Sequence, residues 1–243
     1  MNKRILFIIL LSSVLIFSIS FASTSFEFFL GDAINIPTPL TIILYDTGVI
    51  YTTGIYETRA FTFRDDANYY AYRFSFNDHK REWYEFELIH HKIYLINTPE
   101  DFGKCYSFFD YIIRLIFSKY NPPEEIQYFN ISHGYNLITI NKAWKDKNIN
   151  WLIYRLGLGV VLAHPQSKIK GEEWSYVEGT LFGFLLAGPA IQGSMGTRHH
   201  IGKFFVSTEL KITLAYAVVP VIKGSAHVPN IAVHFLGGFG YSF

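Results

Sequence analysis

Cysteine, charge and long apolar runs are all scarce in this chain. Its 243 residues include a single cysteine, Cys105, so an internal disulfide is excluded. Charged residues make up only 17% of the chain and balance to a formal net charge of +1. That composition argues against a nucleic-acid partner, which requires a clustered basic face. After residue 22 no run of about 18 uninterrupted apolar residues occurs, which argues against a bundle of membrane helices.

The N-terminus has the pattern of an export signal. "MNKR" precedes the apolar run "ILFIILLSSVLIFSI", and the small residues of "SFA" follow, ending at Ala22. A basic segment, an apolar segment and a small-residue cleavage site in this order predict a signal peptide over residues 1–22, with an uncleaved anchor as the alternative. Residues 23–243 are then expected to form one domain.

Aromatic residues, by contrast, make up 18% of the chain, and they recur at alternate positions. Successive side chains of a strand point to opposite faces, so "FFVSTELKITLAYA", from Phe204, has one apolar and one polar face. The polar face consists of Ser207, Glu209, Lys211 and Thr213. In the final segment the apolar face consists of Ile231, Val233, Phe235, Phe239, Tyr241 and Phe243. Such faces fit a soluble sandwich or a barrel whose apolar side meets lipid.

Strand length and strand number favour the barrel. The segments with strand-like alternation are 25–36, 48–63, 67–77, 82–96, 126–143, 149–164, 178–197, 203–218 and 228–243. Several exceed the usual strand of about 5–6 residues and reach the roughly 9–11 of a tilted membrane strand. Bacterial barrels have an even strand count, so one N-terminal segment is expected to lie outside the wall. The sequence predicts an all-β, antiparallel outer-membrane β-barrel of eight strands, with ten as the alternative.

Connections of unequal length give the barrel its orientation, because short turns face the periplasm and long loops face outward. The predicted periplasmic turns are "NDHKR" (77–81), "KDKN" (145–148) and "TRHHIG" (197–202). The predicted extracellular loops are 97–125, 165–177 and 219–227. The first loop contains "YSFFDYIIRLIFSKY", whose apolar residues at helical spacing predict a short surface helix, with a covering coil as the alternative.

Polar side chains gather toward the outer ends of the predicted strands. The histidines among them are His90, His91, His133, His164 and His234. His and Glu side chains suit a divalent metal, and Lys92 with Arg114 suits a lipid headgroup. Ser132 beside His133 suggests a serine hydrolase, although adjacent strand residues should point to opposite faces. Glu209 and Lys211 are also explained as an ion pair that fills a narrow lumen.

Several of these segments, read in order, resemble the lipid A oxidase family of outer-membrane barrels. They are "ELIHHKIYL" (87–95), "SHGYNLITIN" (132–141), "RLGLGVVLAHP" (155–165), "LLAGPAIQGSMG" (185–196), "FFVSTELKITLAYA" (204–217) and "GGFGYSF" (237–243). The terminal Phe243 also resembles the C-terminal mark by which the barrel assembly machinery recognises such proteins. The resemblance covers residues 82–243, whereas residues 23–80 match only loosely.

This resemblance implies a location in the outer membrane of a Gram-negative bacterium and lipid A, the anchor of lipopolysaccharide, as substrate. The implied reaction is oxygen-dependent oxidation of the proximal glucosamine to an aminogluconate, with hydrogen peroxide as by-product. The implied cofactor is a divalent metal with molecular oxygen. The polar residues that match the family's motifs are Glu87, His90, Lys92, Asn136, Asn141, His164, Gln192, Glu209 and Lys211.

From these residues we predict a site with two parts. His90, His133 or His164 is the expected base, because a neutral imidazole is available near pH 7. Glu87 with two of these histidines is the expected ligand set if a metal binds. The residues expected to contact substrate are Lys92, Asn136, Gln192, Glu209, Lys211 and His234. The alternatives are an acyl hydrolase or acyltransferase that uses Ser132 and His133, and a non-enzymatic barrel.

Overall fold

A computed structural model describes residues 24–36, 38–53, 56–57, 69–95, 122–149, 151–174 and 183–243. Their regular structure is β-strand: β1 (Ser25–Ile36), β2 (Leu40–Leu44), β3 (Ile50–Thr53), β4 (Tyr56–Glu57), β5 (Tyr70–Phe76), β6 (Glu82–Leu95), β7 (Ile126–Lys145), β8 (Leu152–Ala163), β9 (Gln166–Ile169), β10 (Glu172–Trp174), β11 (Leu185–Ile201), β12 (Phe204–Val221) and β13 (Gly224–Ser242). Within these ranges no helix is long and apolar enough to cross a membrane.

Eight strands close into a ring with antiparallel neighbours throughout. The order is β1, β5, β6, β7, β8, β11, β12 and β13, and β13 pairs with β1. The prediction of an eight-stranded antiparallel barrel is therefore confirmed. The supernumerary segment 48–63 contains β3 and β4, which lie outside the ring. β3 pairs with β2, and β4 pairs with the end of β6.

Both described chain ends and the short turns lie at one end of the barrel, here called the terminal end. The Phe243 amide donates to the Thr24 carbonyl at 3.0 Å, and the Ser242 amide donates to the Lys203 carbonyl at 2.8 Å. The Lys145 amide donates to the Arg81 carbonyl at 3.0 Å, which brings the β5–β6 and β7–β8 turns together. The predicted turn at 197–202 is too long, because β11 continues to Ile201.

At the opposite end, here called the rim end, two predicted loops are largely strand. Residues 219–227 lie mostly in β12 and β13, which are joined by a tight turn at Ile222 and Lys223, where Lys223 has a positive φ of 52°. Most of residues 165–177 form the β9–β10 hairpin, and β9 pairs with the start of β7. The wall therefore continues as a sheet beyond its apolar belt. The predicted surface helix, residues 106–120, lies outside the described residues.

The two faces of β12 have the polarity that the alternation predicted. Phe204, Leu210 and Leu214 are exposed on the exterior, whereas Glu209 and Lys211 are buried in the interior. The exterior row from Phe204 to Val218 is apolar except at Thr208, and it spans about 46 Å at roughly 3.3 Å per residue, or about 35 Å along the barrel axis at the usual tilt of about 40°. An exterior belt of this height is tall enough to cover the hydrocarbon core of a bilayer, which is about 30 Å thick.

Interior polarity inverts toward the rim end. On β12 the interior row changes from Lys211 and Thr213 to Ala215, Ala217 and Val219. β2, β6, β7, β9 and β13 contribute further buried apolar side chains, including Leu40, Ile42, Ile93, Leu95, Ile126, Phe129, Ile169 and Val228. The described residues thus form a charged lower interior covered by an apolar upper core. Such an interior is a packed core rather than a channel.

The closed ring predicts heat-modifiable migration on a denaturing gel. A barrel whose strands pair all round has no edge from which to unzip, so it should stay folded in detergent until it is heated. The unheated protein is expected to run ahead of the heated protein. A single band at one position with and without heating would contradict a closed barrel, and a soluble β-sandwich of similar mass serves as the control.

Candidate functional site

A cluster of charged side chains fills the lower interior. Its carboxylates belong to Glu27, Glu85, Glu87 and Glu209, and its cations belong to Arg73, Arg155, Arg198 and Lys211. All eight residues are buried, and strand register explains how they meet. Glu27 of β1 pairs with Arg73 of β5, which pairs with Glu87 of β6, so a cation lies between two carboxylates in one row across the sheet.

Arg73 is the centre of this ion cluster. Its Nη2 atom lies 2.8 Å from Glu87 Oε1 and 2.8 Å from Glu209 Oε1. Its Nε atom lies 3.3 Å from Glu85 Oε2, and its Nη1 atom lies 3.5 Å from Glu27 Oε2. One guanidinium therefore contacts all four carboxylates of the cluster. Burying four carboxylates is tolerable only because each has a cation within hydrogen-bonding distance.

Glu87, the predicted metal ligand, is saturated inside this cluster. Its Oε1 accepts from Arg73 and, at 2.5 Å, from Lys211 Nζ. Its Oε2 accepts from Asn141 Nδ2 at 2.9 Å and from Gln192 Nε2 at 2.6 Å. The structure therefore brings together the predicted residues Glu87, Gln192, Glu209 and Lys211. Glu87 contacts Gln192 and Lys211, and Lys211 contacts Glu209 at 3.2 Å, as the lumen-filling interpretation expected.

Removal of the central cation, Arg73, should lower the stability of the barrel. Arg73→Ala leaves four buried carboxylates without their shared partner, and breaking a buried pair from one side costs about 3–5 kcal/mol. We expect the free energy of unfolding in urea to fall by that amount. Lys142→Ala is the matched control, because its ion pair with Glu82 lies on the surface. Equal effects of the two substitutions would show that the cluster does not stabilise the fold.

A layer of aromatic rings separates the ion cluster from the apolar core. Both ring nitrogens of His234 are engaged, Nδ1 with the Tyr69 hydroxyl at 2.8 Å and Nε2 with Thr213 Oγ1 at 2.8 Å. The ring of His234 stacks on His91 at 5.4 Å, and His91 stacks on Tyr135 at 5.2 Å. His234, a predicted substrate contact, is therefore enclosed within the barrel.

A bulge in β7 shapes the exterior of the rim end. The β6–β7 register passes from His91–Tyr135 to Ile93–Ile131, so Lys92 alone faces residues 132–134 of β7. Gly134 has a φ of 135°, a conformation that favours glycine. The bulge breaks strict alternation, which contradicts the expectation that Ser132 and His133 point apart. Ser132 Oγ lies 3.4 Å from His133 Nδ1.

Side chains around the bulge form one surface, the rim patch, defined as Tyr70, His90, Ser132, His133, Asn136, His164, Gln166 and Phe184. Its histidines are held by ring stacking and hydrogen bonds. His133 stacks on His164 at 4.5 Å, and His164 meets Phe184 edge to face at 5.4 Å. His90 stacks on Tyr70 at 4.6 Å and bonds through Nδ1 to Asn136 Oδ1 at 2.6 Å.

Two glycines allow this close approach. A Cβ on Gly134 would lie 2.8 Å from His90 Cε1 and 2.6 Å from Asn136 Nδ2. A Cβ on Gly183 would lie 2.6 Å from His164 Cε1. Gly134 therefore joins the His90 side of the rim patch to the His133 side, and no larger residue fits there without displacing a ring.

The structure thus places most of the predicted site residues in two separate groups, with Lys92 and His234 outside both. His90, His133, His164 and Asn136 meet in the rim patch, whereas Glu87 lies in the ion cluster. Lys92 is buried beside the bulge. Glu87 with two of the histidines does not fit a metal, because Glu87 is interior and saturated. Among the described residues no three His, Cys, Asp or Glu side chains are arranged to hold a metal ion.

Several members of both groups were not predicted from the sequence. Arg73, Glu27 and Arg198 complete the ion cluster, and Tyr70, Gln166 and Phe184 complete the rim patch. Arg73 and Glu27 occupy polar positions that alternate with aromatic residues in "YRF" (72–74) and "FEF" (26–28), which is a usable signal for lumen-facing charges. Gln166 gave no comparable signal, because its contact with Ser132 Oγ at 2.7 Å depends on the β9 fold-back.

At the terminal end, a tight group of hydrogen bonds encloses Asp78 in the β5–β6 turn. Its carboxylate accepts from Ser25 Oγ at 2.5 Å, from Thr24 Oγ1 at 2.7 Å and from Arg198 Nη1 at 2.6 Å. Burial alone would raise the pKa of this carboxyl, but the two hydroxyl hydrogen bonds and the charge of Arg198 hold its pKa below the ordinary value of 3.8. The turn is therefore tied to β1 and β11 by an ionised side chain.

A lowered pKa at Asp78 predicts that stability depends on pH in the acid range. The unfolded chain binds this proton more readily, so the contribution is complete above the ordinary pKa of 3.8 and is lost as the pH falls through the lower folded value. Asp78→Asn should destabilise the barrel at neutral pH, and the difference from wild type should shrink in acid. Thermal unfolding between about pH 2 and pH 7 measures this. Asp46→Asn in the exposed β2–β3 turn is the control, and a difference that is independent of pH would contradict the assignment.

Comparison with known proteins finds no matching family model and no matching curated protein. Among solved structures, Neisserial surface protein A is 8% identical over 91% of this chain and 98% of that chain, with a TM-score of 0.41. Ail, the attachment invasion locus protein of Yersinia pestis, is 8% identical over 91% and 99%, with a TM-score of 0.39. The outer membrane protein AlkL is 11% identical over 91% of each chain, with a TM-score of 0.39.

Proposed function

We propose that this protein is an outer-membrane barrel of a Gram-negative bacterium that binds lipid A at the rim patch and modifies it. The observation that carries the proposal is the convergence of His90, His133 and His164 on one exterior surface. Imidazole is the side chain that proteins use most often as a general acid or base, so three imidazoles on one exterior surface suit chemistry on a lipid headgroup.

The height of the rim patch supports a glycolipid headgroup as its ligand. On the exterior row of β6, Tyr84, which is 61% exposed, begins the apolar part after Glu82, and the row reaches His90 six residues later. The exterior row of β7 contains Ile140, which is 65% exposed, and reaches Asn136 four residues toward the rim end. On both strands the exterior changes from apolar to polar at the same pair, since His90 and Asn136 are register partners. A change of this kind marks the level of the headgroups.

The resemblance to lipid A oxidases supports oxidation as the reaction. In a lipid A that lacks its 1-phosphate, the proximal sugar has a free anomeric hydroxyl. A rim-patch imidazole would take the proton from this hydroxyl while the C1–H bond breaks, and the two electrons and two protons would pass to molecular oxygen, which becomes hydrogen peroxide. The resulting lactone takes up water and opens to the aminogluconate, a net gain of one oxygen atom.

The contact between Ser132 and His133 favours a second candidate, acyl transfer. The Ser132 hydroxyl would attack an ester carbonyl of lipid A while His133 takes its proton, and the acyl group would leave the sugar hydroxyl for the serine and then pass to water or to another lipid. The 3.4 Å separation of Oγ and Nδ1 is longer than a strong hydrogen bond, and the hydroxyl bonds to Gln166 at 2.7 Å. His133 would have to rotate toward Ser132 for this reaction.

Mass spectrometry of lipid A distinguishes these reactions. Lipid A is extracted from a Gram-negative host whose lipid A lacks the 1-phosphate. The host is grown with and without this protein, and each culture is grown both in air and without oxygen. We expect one added oxygen atom only in the protein-containing cells grown in air. Loss or gain of an acyl chain would show that the reaction is acyl transfer rather than oxidation. Lipid A whose mass is unchanged under every condition would contradict the proposal and would indicate a non-enzymatic barrel.

Histidine substitutions test whether the rim patch carries the chemistry. His90→Ala, His133→Ala and His164→Ala are made singly, and loss of the catalytic base should reduce conversion by roughly 10²–10⁴-fold. His199→Ala is the matched control, because His199 is exposed near the opposite end of β11. Heat-modifiable migration confirms that each variant is folded. Full conversion of lipid A by all three rim variants would show that the rim patch takes no part in the reaction.

A further inference from the structure

The backbone pairing of the wall is incomplete between β11 and β12. Among the described residues, their antiparallel register begins at Ile201–Phe204 and ends at Ala190–Ala215. Above this point β11 continues to Leu185 and β12 continues to Val221, each paired only with its other neighbour, β8 or β13. The ladder between the two strands therefore ends at Ala190–Ala215, although their backbones stay close at Gly188 and Tyr216, and the unpaired stretch above is here called the seam.

Gly188 and Pro189 shape the start of this seam. Pro189 has no amide hydrogen, so it cannot donate a hydrogen bond to β12. The β8–β11 register shifts between Leu186 and Gly188, which is a bulge, and a Cβ on Gly188 would overlap the Tyr216 carbonyl oxygen. On the far side of β12, Tyr216 is paired with Pro229 of β13. Prolines on both neighbouring strands thus reduce the hydrogen bonding around Tyr216.

An apolar groove lies on the exterior at the lower end of the seam. Its walls are Pro189 and Ile191 on one side and Leu214 and Tyr216 on the other, and its floor is the Ala190–Ala215 pair. The volume is about 280 Å³. The floor is backbone, because the side chains of this register pair turn inward.

The groove is continuous with the rim patch. Phe184 of the rim patch directly precedes β11, and Leu186, which is exposed on the exterior, leads down to Pro189. Five steps along the chain lead from Phe184 to Pro189, about 17 Å at full extension or about 13 Å along the barrel axis at a tilt of about 40°, which is within the roughly 15 Å thickness of one hydrocarbon leaflet. A lipid whose headgroup lies on the rim patch can therefore extend a chain along β11 into the groove.

We infer that this groove holds one acyl chain of the lipid A molecule whose headgroup occupies the rim patch. The inference rests on the proposed function and adds the position of the substrate's hydrocarbon. A groove inside the apolar belt is filled by lipid hydrocarbon, and its continuity with the rim patch selects a chain that belongs to the rim-bound lipid. The Tyr216 hydroxyl, bonded to His227 Nδ1 at 2.9 Å, places a polar group at the upper edge of the groove. A chain held there fixes the sugar against the imidazoles, which is how binding remote from the reacting atoms accelerates a reaction.

Photo-crosslinking tests the position of the chain. The full-length mature barrel is placed in phosphatidylethanolamine nanodiscs that contain a small amount of a photoreactive lipid. This lipid is either lipid A or phosphatidylethanolamine, and in both cases one of its acyl chains has a diazirine. Adducts are located by tryptic digestion and fragmentation. We expect lipid A adducts to be enriched at least about fivefold at residues 189–191 and 214–216 over the rest of the exterior belt, a ratio worth roughly 1 kcal/mol. Phosphatidylethanolamine adducts should be spread evenly.

Ile191→Trp narrows the groove and should remove the enrichment. Ile212→Trp is the matched control, since Ile212 is the same residue type, 49% exposed against 46% for Ile191, and lies outside the groove. Even labelling by lipid A, equal enrichment of phosphatidylethanolamine, or equal effects of the two tryptophans would each overturn the inference. Mass analysis of unlabelled lipid A in the same nanodiscs keeps the proposed function separate, because lipid A that is modified while labelling is even contradicts the groove alone.

Discussion

The pairing of β13 with β1 is the contact on which the rest of this structure depends. It runs in register from Ser25–Ser242 to Ile36–Ile231 and converts a sheet with two edges into a ring. Inside hydrocarbon an unpaired strand edge leaves backbone amides and carbonyls unsatisfied at several kcal/mol each, so closure is required of any sheet that spans a membrane. Closure also creates the narrow interior in which Arg73 can reach four carboxylates contributed by strands far apart in sequence.

The polarity of the side chains along the wall depends on what each face contacts, lipid on the exterior and other side chains in the interior. In the lower part the exterior must be apolar, and the interior can hold charges because Arg73, Arg155, Arg198 and Lys211 match four glutamates. Toward the rim end the interior becomes apolar, and exterior positions such as Gln166 and Lys168 become polar. The rim patch lies where the two patterns exchange. A surface at that height can contact both the sugar and the acyl chains of a glycolipid.

Alternation predicted the wall strands well because the lipid and the lumen both impose a period of two. Predictions were wrong where the two-residue alternation is interrupted by a bulge, or where a strand continues beyond its membrane-facing part. Residues 219–227 were expected to be a loop because the membrane pattern ends before them, yet β12 and β13 continue on an apolar core. Ser132 and His133 were expected to diverge, and only Gly134 signalled the bulge that brings them together. The grouping of Glu87 with Arg73 required the β5–β6 register, which no local pattern encodes.

The bulge in β7 and the seam beside β11 are departures from regular pairing on the same side of the ring, separated by β8. A regular ladder would turn Ser132 and His133 to opposite faces and would continue the Ala190–Ala215 pairing upward, leaving neither a histidine cluster nor a groove. Each departure removes hydrogen bonds that a purely structural barrel would retain. In the proposed function, the bulge lies at the level of the lipid's headgroup and the seam lies at the level of its chains. Irregular pairing at these two levels is the arrangement that the proposal requires of a wall that recognises a whole lipid molecule.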